Sequence, residues 1–399
     1  MLSGGINSTA MNDIPFRPPF HTVTSESGPT ANSRGCGETS GLDQTIYLNS
    51  PGFEDMDIGE RKRLVTRHTE EIVTGDELTH LLEQSDPSVY IGYAPTGEMH
   101  IGHFTTIRKL VDFLDAGLDV TVLIADLHAH LDDEKSPYEL LTPRAKYYKR
   151  GIESMVEAAG GNPGEIDFVR GTDFELEPPY TLDLYRMLAE TTVSRAKRAG
   201  SEVVRQSENP KVGGLAYPLM QSLDVAALEA DIAYGGIDQR GIYMLARELL
   251  PDQGYRKPVC IFAPLLSGLT GGKMSASEAG SGIAITDSPE TIMDKIDDAY
   301  CPAGTLEDNG ILEYLEYLVF PILSEDGSTF DISRPEKYGG DVTYREYDRL
   351  EADFVDERLH PADLKGVTGS VLADLMAPIR NQFEADRELL ESAYPERYS

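Results

Sequence analysis

Strand-like and helix-like segments alternate along most of this chain, and that alternation limits the folds open to it. Stretches with helical periodicity, such as 102–116 and 143–159, separate short runs rich in apolar and β-branched residues. The runs lie at 88–93, 119–125, 166–169, 230–234 and 259–263. Parallel neighbouring strands need a crossover connection, which is usually a helix. The pattern therefore predicts an α/β fold with a Rossmann-like, doubly wound parallel sheet.

The composition along the chain predicts three regions. Residues 1–58 are rich in Gly, Ser, Thr, Asn and Pro without apolar periodicity, so we expect a disordered extension or a start mis-assigned upstream of Met56. Residues 59–304 carry the alternating pattern, interrupted by a mostly helical insertion at 180–228. After residue 305 no strong strand pattern recurs, and 305–399 is predicted to form a smaller α-helical domain. Several domains suit a chain of 399 residues, because single cores stop growing at roughly 250–300 residues.

Acidic residues dominate the charge of the chain. There are 68 Asp and Glu against 35 Lys and Arg, a formal net charge of −33, and the acidic residues are dispersed. A dispersed acidic surface stays hydrated in concentrated salt, where self-repulsion is screened. We therefore predict a halophilic host; an ordinary acidic enzyme is the alternative. The sequence has no run of 18 apolar residues and only three distant cysteines, which predicts a cytoplasmic protein without a membrane span, a disulfide framework or a zinc site.

The segment 90–103, Tyr-Ile-Gly-Tyr-Ala-Pro-Thr-Gly-Glu-Met-His-Ile-Gly-His, gives the first chemical signal. A predicted strand ends, a Pro/Gly loop follows, and His100 and His103 enter a helix on one face. Imidazoles at a helix N-terminus join free backbone N–H groups and the positive end of the helix dipole, which favours a phosphate. Gly102 leaves room for a flat ligand such as adenine to approach the backbone. Two solvent-facing histidines at a helix start are the alternative interpretation.

A second signal lies at 269–277, Leu-Thr-Gly-Gly-Lys-Met-Ser-Ala-Ser. Lys273 follows two glycines, and Ser275 and Ser277 add hydroxyls, so a flexible loop here can close over a triphosphate and meet the charge that grows in a transition state. Lys-Met-Ser alone is a weak pattern that also fits a surface loop. Both motifs in this order on an alternating chain form a much more specific pattern.

With these two motifs the chain resembles the class I aminoacyl-tRNA synthetases, whose signatures look like His100-Ile-Gly-His103 and Lys273-Met-Ser-Ala-Ser277. From about residue 60 onward it is similar to tyrosyl-tRNA synthetases of the archaeal and eukaryotic type. Six further segments carry the resemblance, namely 90–92, 125–129, 217–224, 235–240, 334–340 and 359–365. The resemblance implies a homodimer, with a catalytic domain at 59–304 and a tRNA anticodon-binding domain at 305–399.

The resemblance also implies how tyrosine would be held. Tyr90 and Asp224 would bond its phenolic hydroxyl, and Tyr217, Gln221 and Gln239 would hold its α-amino end. The spacing of 217, 221 and 224 is that of one helix face, although a mixed, partly exposed face has the same spacing. A phenol that donates to Asp224 and accepts from Tyr90 satisfies both groups, whereas phenylalanine would leave a buried carboxylate unpaired.

The implied reaction has two steps. Tyrosine attacks the α-phosphate of ATP to give tyrosyl-adenylate and pyrophosphate, and the 3′ end of tRNA(Tyr) then takes the tyrosyl group. Catalysis would rest on positioning and charge stabilisation. The implied catalytic residues are His100, His103, Lys273, Ser275 and Ser277, and the implied ATP ligands are Gly92, His100, Gly102, His103, Lys273, Met274, Ser275 and Ala276. Mg²⁺ is expected with ATP, and no carboxylate cluster in the sequence marks a dedicated metal site.

One position departs from the pattern of class I. Ala276 stands where many of these enzymes have a second Lys, although the archaeal and eukaryotic tyrosyl branch often has a small residue there. One phosphate contact must then come from a backbone N–H group or an ion.

The net charge argues against a nucleic-acid partner, so tRNA affinity is expected to depend on local contacts. The resemblance implies that Arg198 and Arg240 lie near the acceptor end of tRNA. It also implies that Tyr338 stacks on the first anticodon base while Asp363 accepts a hydrogen bond from it. A solvated helix face is the alternative for the basic cluster around Arg198.

Three alternatives remain. Tryptophanyl-tRNA synthetases share the fold and can carry the same Lys-Met-Ser-Ala-Ser loop, but the Tyr90/Asp224 pair and the segment 235–240 favour tyrosine. A small nucleotidyltransferase can use His-x-Gly-His but lacks the Lys loop and the anticodon-type domain. A non-catalytic RNA-binding paralogue would have no need to keep His100, His103 and Lys273.

Overall fold

A six-stranded sheet forms the centre of the molecule. The computed structural model describes residues 56–84, 87–132, 135–203, 211–272 and 282–398. The strands are β1 (Glu71–Val73), β2 (Ser88–Tyr93), β3 (Asp119–Ile124), β4 (Ile166–Arg170), β5 (Ile232–Gly236) and β6 (Val259–Ala263). Their order is β1-β6-β5-β2-β3-β4, and every pair is parallel except β1 with β6. The chain adds β3 and β4 on one side of β2 and then β5 and β6 on the other, so the sheet is doubly wound with its switch point between β2 and β5.

Helices connect these strands, which confirms the predicted α/β fold. They are α1 (Ile58–Thr66), α2 (Gly75–Leu82), α3 (Ile101–Asp115), α4 (Asp126–Leu131), α5 (Tyr138–Ala158), α6 (Gly171–Phe174), α7 (Pro178–Glu190), α8 (Val193–Ala199), α9 (Gly213–Ala227) and α10 (Arg240–Asp252). Short 3₁₀ turns lie at Pro163–Glu165 and Ile237–Gln239. The insertion predicted at 180–228 is helical where the structure describes it, through α7, α8 and α9.

The rest of the chain is mainly helical, with one exception to the prediction. The helices are α11 (Pro289–Asp298), α12 (Gly310–Tyr314), α13 (Phe320–Asp326), α14 (Tyr347–Val355), α15 (Pro361–Ala385), α16 (Arg387–Ala393) and α17 (Pro395–Tyr398), with a π-helical turn at Leu315–Val319 and a 3₁₀ turn at Glu336–Tyr338. The mainly helical prediction does not include a short strand pair, in which β7 (Phe330–Ile332) pairs with β8 (Val342–Tyr344). Strands of three residues are too short for alternation to reveal them. None of the described helices has the length and apolar character needed to cross a membrane.

Two prolines lie inside helices rather than at their starts. The sequence predicts that one helix begins at Pro143, but α5 begins at Tyr138, and Pro218 likewise lies inside α9, which begins at Gly213. Proline removes only one intrahelical N–H bond, and a helix packed on its neighbours can tolerate that loss. The earlier start of α9 places Tyr217, Gln221 and Asp224 all within one helix.

Helices from the last part of the chain pack onto the same hydrophobic core as the sheet. The ring of Tyr147 in α5 lies 4.9 Å from that of Phe383 in α15 and 5.1 Å from that of Tyr394, measured between centroids. Elements that follow the sheet in sequence therefore pack directly against α5.

A buried ionic network joins α3 to α13. The carboxylate of Asp112, which is inaccessible to solvent, accepts hydrogen bonds from Arg67, Arg108 and Lys109, the last at 2.9 Å. Glu325 in α13 accepts from Arg67 at 2.7 Å and from Arg108. Burial raises the pKa of Asp112, but its three cations outweigh that effect and lower the pKa to about 2. Asp112 is therefore ionised across the whole physiological pH range.

Candidate active site

A cleft of about 360 Å³ opens where β2, β3 and β5 end, next to the switch point of the sheet. Doubly wound sheets bind ligands at this position. The cleft is lined by the nine predicted tyrosine and ATP ligands that the structure describes: Tyr90, Gly92, His100, Gly102, His103, Tyr217, Gln221, Asp224 and Gln239. The remaining predicted ligands and catalytic residues, Lys273, Met274, Ser275, Ala276 and Ser277, lie outside the described residues.

The two histidines cap the first turn of α3 with their own rings. His100 is the N-cap residue, and its Nδ1 accepts a hydrogen bond from the backbone N–H of Gly102 at 3.2 Å. The Nδ1 atom of His103 accepts from the backbone N–H of His100, also at 3.2 Å. The prediction that both histidines enter the helix is therefore wrong for His100, which takes the place of a Ser or Asp cap. Because each Nδ1 is an acceptor, a neutral ring carries its proton on Nε2.

Both imidazoles are neutral at physiological pH. Burial lowers the pKa of His100 to about 4. Burial, with a further contribution from His100, holds the pKa of His103 well below its usual range. The two ring centroids are 4.2 Å apart, and the ring of Tyr148 lies 6.0 Å from that of His103. This end of the cleft therefore offers neutral N–H donors beside a helix N-terminus.

A buried carboxylate, Asp224, lies among tyrosine hydroxyls at the other end of the cleft. Tyr180 donates a hydrogen bond to Asp224 Oδ1 at 2.7 Å. Tyr243 donates to the hydroxyl of Tyr90 at 3.3 Å, and Tyr90 donates to the backbone carbonyl of Gln221 at 3.4 Å. Burial raises the pKa of the Tyr90 hydroxyl well above its ordinary value, so it stays a neutral donor and acceptor.

A single imidazole lies between two buried carboxylates at this end. The Nδ1 atom of His128 is 3.3 Å from Glu175 Oε1, and its Nε2 atom is 3.4 Å from Asp224 Oδ2. Burial alone would lower the pKa of His128, but the two carboxylates outweigh it and raise the pKa. Burial raises the pKa of Asp224, and the His128 imidazolium opposes that rise. The imidazolium is therefore a positive charge that lies beside the Asp224 carboxyl group.

The same three residues form the one cluster of potential metal ligands among the described residues, with ligand atoms within 4.8 Å of one another. The two nitrogens of His128 face different carboxylates, which is the arrangement of an ion pair rather than of converging ligands. Mg²⁺ prefers an octahedron of oxygen atoms and usually binds substrate phosphates. This cluster does not fit Mg²⁺.

Two glutamines form the wall between the ends of the cleft. The amide nitrogen Nε2 of Gln221 donates to Gln239 Oε1 at 2.9 Å. The other amide atom of Gln221, Oε1, is buried and has no hydrogen-bond partner among the described residues. Tyr217, one turn earlier in α9, packs its ring edge-on against His128, with 4.8 Å between the centroids. An unpaired acceptor beside a hydroxyl suits a ligand ammonium group.

The predicted acceptor-end contacts are arginines outside the cleft lining. Arg240 begins α10 directly after Gln239, and its guanidinium donates to Glu71 at 2.5 and 2.9 Å. Arg198 lies in α8 and is exposed. The two arginines are thus accessible to a large partner that approaches the cleft.

The predicted anticodon contacts belong to the last part of the chain. Tyr338 is 59 % exposed, and the Nζ atom of Lys337 lies 4.5 Å from its ring centroid. Asp363 lies in the first turn of α15, with an oxygen 4.0 Å from the Nη1 atom of Arg334. An exposed ring and a partly free carboxylate on neighbouring segments can read an unpaired base.

Several residues of the site have no signal in the sequence. Tyr180 binds Asp224 from the first turn of α7, and Glu175 lies beside His128 in the turn after α6. No motif in the sequence relates either residue to Asp224 or His128. Tyr243 lies in α10 at a position whose neighbours in the sequence indicate a residue of the hydrophobic core rather than of a binding site. Only His128 stands in a segment that the resemblance singles out, 125–129, and it has no predicted role there.

Comparison with known proteins agrees with this geometry. Residues 82–376 match the family described as tRNA synthetases class I (W and Y). The tyrosine–tRNA ligase of Natronomonas pharaonis is 67 % identical over 344 residues, covering 86 % of this chain and 100 % of the relative. That of Haloarcula marismortui is 64 % identical, covering 86 % and 99 %. Both relatives come from halophilic archaea.

Solved structures are similar as well. The tyrosyl-tRNA synthetase of Archaeoglobus fulgidus, complexed with L-tyrosine, is 43 % identical with a TM-score of 0.77, covering 82 % of this chain and 99 % of that one. The enzyme of Pyrococcus horikoshii, also with L-tyrosine, is 33 % identical with a TM-score of 0.78, covering 85 % and 100 %. The chain therefore belongs to the class I tRNA synthetases (W and Y), and within that family to the tyrosine–tRNA ligases.

Proposed function

We propose that the cleft binds L-tyrosine and ATP side by side and that both steps of tyrosine–tRNA ligation take place there. In the first step a carboxylate oxygen of tyrosine attacks the α-phosphorus, the bond to the β-phosphate breaks, and pyrophosphate leaves. In the second step a ribose hydroxyl at the 3′ end of tRNA(Tyr) attacks the activated carbonyl, and AMP leaves. The observation that carries the proposal is the cleft itself, which has a neutral histidine pair at a helix N-terminus at one end and a buried carboxylate at the other.

The phenol of tyrosine is proposed to donate to Asp224 and to accept from Tyr90. The support is that both groups are buried and face the same cleft, with Tyr180 and His128 holding the carboxylate from its other sides. Phenylalanine would bury the same groups without a partner, and an unsatisfied buried polar group costs about 1–3 kcal/mol, more when it is charged. Tryptophan has an N–H donor but no acceptor for Tyr90.

The α-amino group is proposed to lie against Gln221, Gln239 and Tyr217. The unpaired Oε1 atom of Gln221 is an acceptor that an ammonium group would satisfy. The bond between the two glutamine side chains orients that acceptor, because it leaves Gln221 one fixed amide orientation. Tyrosine would thus be held at both ends, with its carboxylate pointing toward the histidines.

ATP is proposed to bind at the histidine end, with its phosphates at the Nε2–H groups of His100 and His103. Gly92 and Gly102 line this part of the cleft, where the absence of side chains leaves space for adenine or ribose. Mg²⁺ is expected to arrive bound to the ATP phosphates, as part of the substrate. Catalysis then rests on positioning and on stabilising the charge that develops on the leaving pyrophosphate, to which Lys273, Met274, Ser275, Ala276 and Ser277 are proposed to contribute.

The tRNA is proposed to cross from Arg198 and Arg240 at the cleft to Tyr338 and Asp363, so that 59–304 catalyses and 305–399 reads the anticodon. The exposure of Arg198, Arg240 and Tyr338 supports this assignment. Because counterion release contributes little in concentrated salt, the stacking of Tyr338 and hydrogen bonds should supply much of the affinity.

A homodimer is proposed on the evidence of exposed apolar side chains along α7 and its ends. These are Leu176, Leu182, Tyr185, Leu188 and Val193, of which Tyr185 is 64 % exposed. Apolar patches rimmed by polar residues usually mark protein–protein contacts. The protein is proposed to work in a cytoplasm of high salt concentration, where translation takes place and where its dispersed acidic surface stays hydrated.

The test is ATP–pyrophosphate exchange in molar KCl with tyrosine, tryptophan or phenylalanine, and with His103→Ala as the variant. Exchange with tyrosine alone, lost in the variant, is the expected result. Exchange with tryptophan would change the assigned substrate from tyrosine to tryptophan and leave the assigned fold unchanged. A folded protein that exchanges with none of the three would favour a non-catalytic RNA-binding paralogue.

A further inference from the structure

The loop Thr96–Met99, which precedes the histidine pair, is hydrogen-bonded by side chains from two separate parts of the chain. From α5, Tyr148 donates to the backbone carbonyl of Gly97 at 2.9 Å, and the hydroxyl of Tyr147 accepts from the backbone N–H of Met99 at 3.1 Å. From the residue between α16 and α17, Tyr394 donates to the same Gly97 carbonyl at 2.5 Å. Both lone pairs of one carbonyl are therefore used by side chains far apart in sequence.

The next residue of the loop, Glu98, is bound entirely from α17. Arg397 Nη1 lies 2.8 Å from Glu98 Oε2, and the hydroxyl of Tyr398 donates to the same oxygen at 3.2 Å. The side chain of Glu98 is only 12 % exposed, so this pair is shielded from solvent on one side. Burial raises the pKa of Glu98, and Arg397 opposes that rise.

The hydroxyl of Tyr398 also reaches a second segment of the site. It lies 3.1 Å from Thr286 Oγ1. Thr286 ends a stretch that pairs with the histidine turn: the backbone N–H of Ile285 donates to Met99 at 3.1 Å, and that of Ile101 donates to Ile283 at 2.9 Å. This stretch follows the Lys273 motif in sequence. Tyr398 is thus hydrogen-bonded to two segments that pair with each other at the histidine turn.

We propose that Tyr394, Arg397 and Tyr398 are positioning residues for ATP, which hold the loop before His100 in register with the stretch after the Lys273 motif. This inference rests on the proposed ATP site at His100 and His103. Among the described residues, the hydrogen bonds and the ion pair that these three side chains make with the two segments go to Gly97, Glu98 and Thr286, so they act on the ATP end through those residues. They also make the ATP end depend on helices that belong to the last part of the chain.

Reaction at a phosphate is sensitive to small displacements of the groups that position it. The loop that contributes Thr96 to the cleft belongs to no strand or helix, and side chains from elsewhere bind the backbone carbonyls of Thr96 and Gly97. Binding sites need their supporting residues to hold geometry to within about 0.5 Å. A misplacement of about 1 Å can reduce a rate by roughly 100-fold.

The test compares the double variant Arg397→Ala/Tyr398→Phe with wild type in ATP–pyrophosphate exchange at saturating and limiting concentrations of each substrate. The expected result is a loss of about tenfold in kcat/KM for ATP, with the KM for tyrosine unchanged. The control is Arg387→Ala in the neighbouring helix α16, which should match wild type. In the part of the chain that the structure describes, Arg387 pairs with exposed Glu391 at 3.1 Å. An unchanged kcat/KM for ATP would overturn the proposal, as would equal losses for ATP and tyrosine in step with a lower melting temperature.

A second pair of variants separates positioning from folding. Glu98→Gln removes the charge that Arg397 binds, without shortening the side chain. If the contact between Glu98 and Arg397 positions ATP, Glu98→Gln and Arg397→Ala should each lower kcat/KM for ATP. The combined variant should then have a kcat/KM no lower than that of the more severe single variant. Fully additive losses would overturn the proposal. Tyrosine-dependent exchange by wild type is measured in the same series, so failure of the proposed function would be seen separately.

Discussion

Replacement of Asp112 by Asn should destabilise the fold more than any surface change. Asp112 is fully buried and accepts hydrogen bonds from three cations, two of which, Arg108 and Lys109, are also buried. In Asp112→Asn the carboxylate left to these cations is Glu325, which binds the two arginines, whereas Lys109 keeps its backbone carbonyl partners. Breaking a buried ionic network by removing one partner costs about 3–5 kcal/mol. We expect a loss in that range in the free energy of unfolding.

The assay is urea denaturation in molar KCl, since guanidinium is itself a salt. Glu391→Gln is the matched control, because it also neutralises one carboxylate, but in an exposed pair with Arg387. An exposed pair contributes only about 0–1 kcal/mol. Both variants should keep the slope of the denaturation curve, so that the shift in midpoint reports stability alone.

Salt dependence adds a second criterion. A buried network is screened much less by ions than an exposed pair. The loss for Asp112→Asn should therefore stay constant as KCl rises within the molar range. A loss for Asp112→Asn as small as that of Glu391→Gln would refute the reasoning that the three cations depend on this carboxylate.

Three further predictions concern the site and its assembly. Asp224→Asn should reduce the preference for tyrosine over phenylalanine in pyrophosphate exchange by about 10- to 100-fold, the equivalent of about 1.5–3 kcal/mol for a hydrogen bond to a charged group, and an unchanged ratio would count against the phenol contact. Between pH 6.5 and 4, wild type should lose up to about 3 kcal/mol of stability relative to His100→Asn. The pKa of His100 in the folded protein, about 4, lies below its value in the unfolded chain, so the unfolded chain takes up the proton first as the pH falls. Equal dependence of stability on pH in the two proteins would contradict this. Tyr185→Glu should yield monomers by sedimentation in KCl while Tyr138→Glu, at an equally exposed tyrosine outside α7, should not, and a dimeric Tyr185→Glu protein would exclude this face.

The parts of the fold that the sequence predicts are those with long or distinctive patterns. The runs that form β2, β3 and β6 have five or six residues and are rich in apolar and β-branched side chains, and the prediction matches them closely. β1, β7 and β8 have three residues each and no pattern to detect. β1 also depends on its partner, since it is held by the edge of β6 rather than by its own composition.

The candidate site divides in the same way. Tyr217, Gln221 and Asp224 could be assigned to one helix face because helical spacing alone relates them. Tyr180 and Glu175 could not, because they reach Asp224 and His128 across the fold and only tertiary packing brings them together. The cap formed by His100 was missed for a different reason, since histidine is rarely expected where Ser or Asp usually begins a helix.

The neutrality of the histidine pair has a consequence for work in concentrated salt. At an ionic strength of 1 M, electrostatic attraction between exposed charges fades within about 3 Å. His100 and His103 carry no charge to be screened, and each would offer a phosphate a short, directional N–H bond. An enzyme with this arrangement can keep its affinity for nucleotide when the salt concentration rises or falls. The salt that the acidic surface needs for hydration would then leave the first chemical step largely undisturbed.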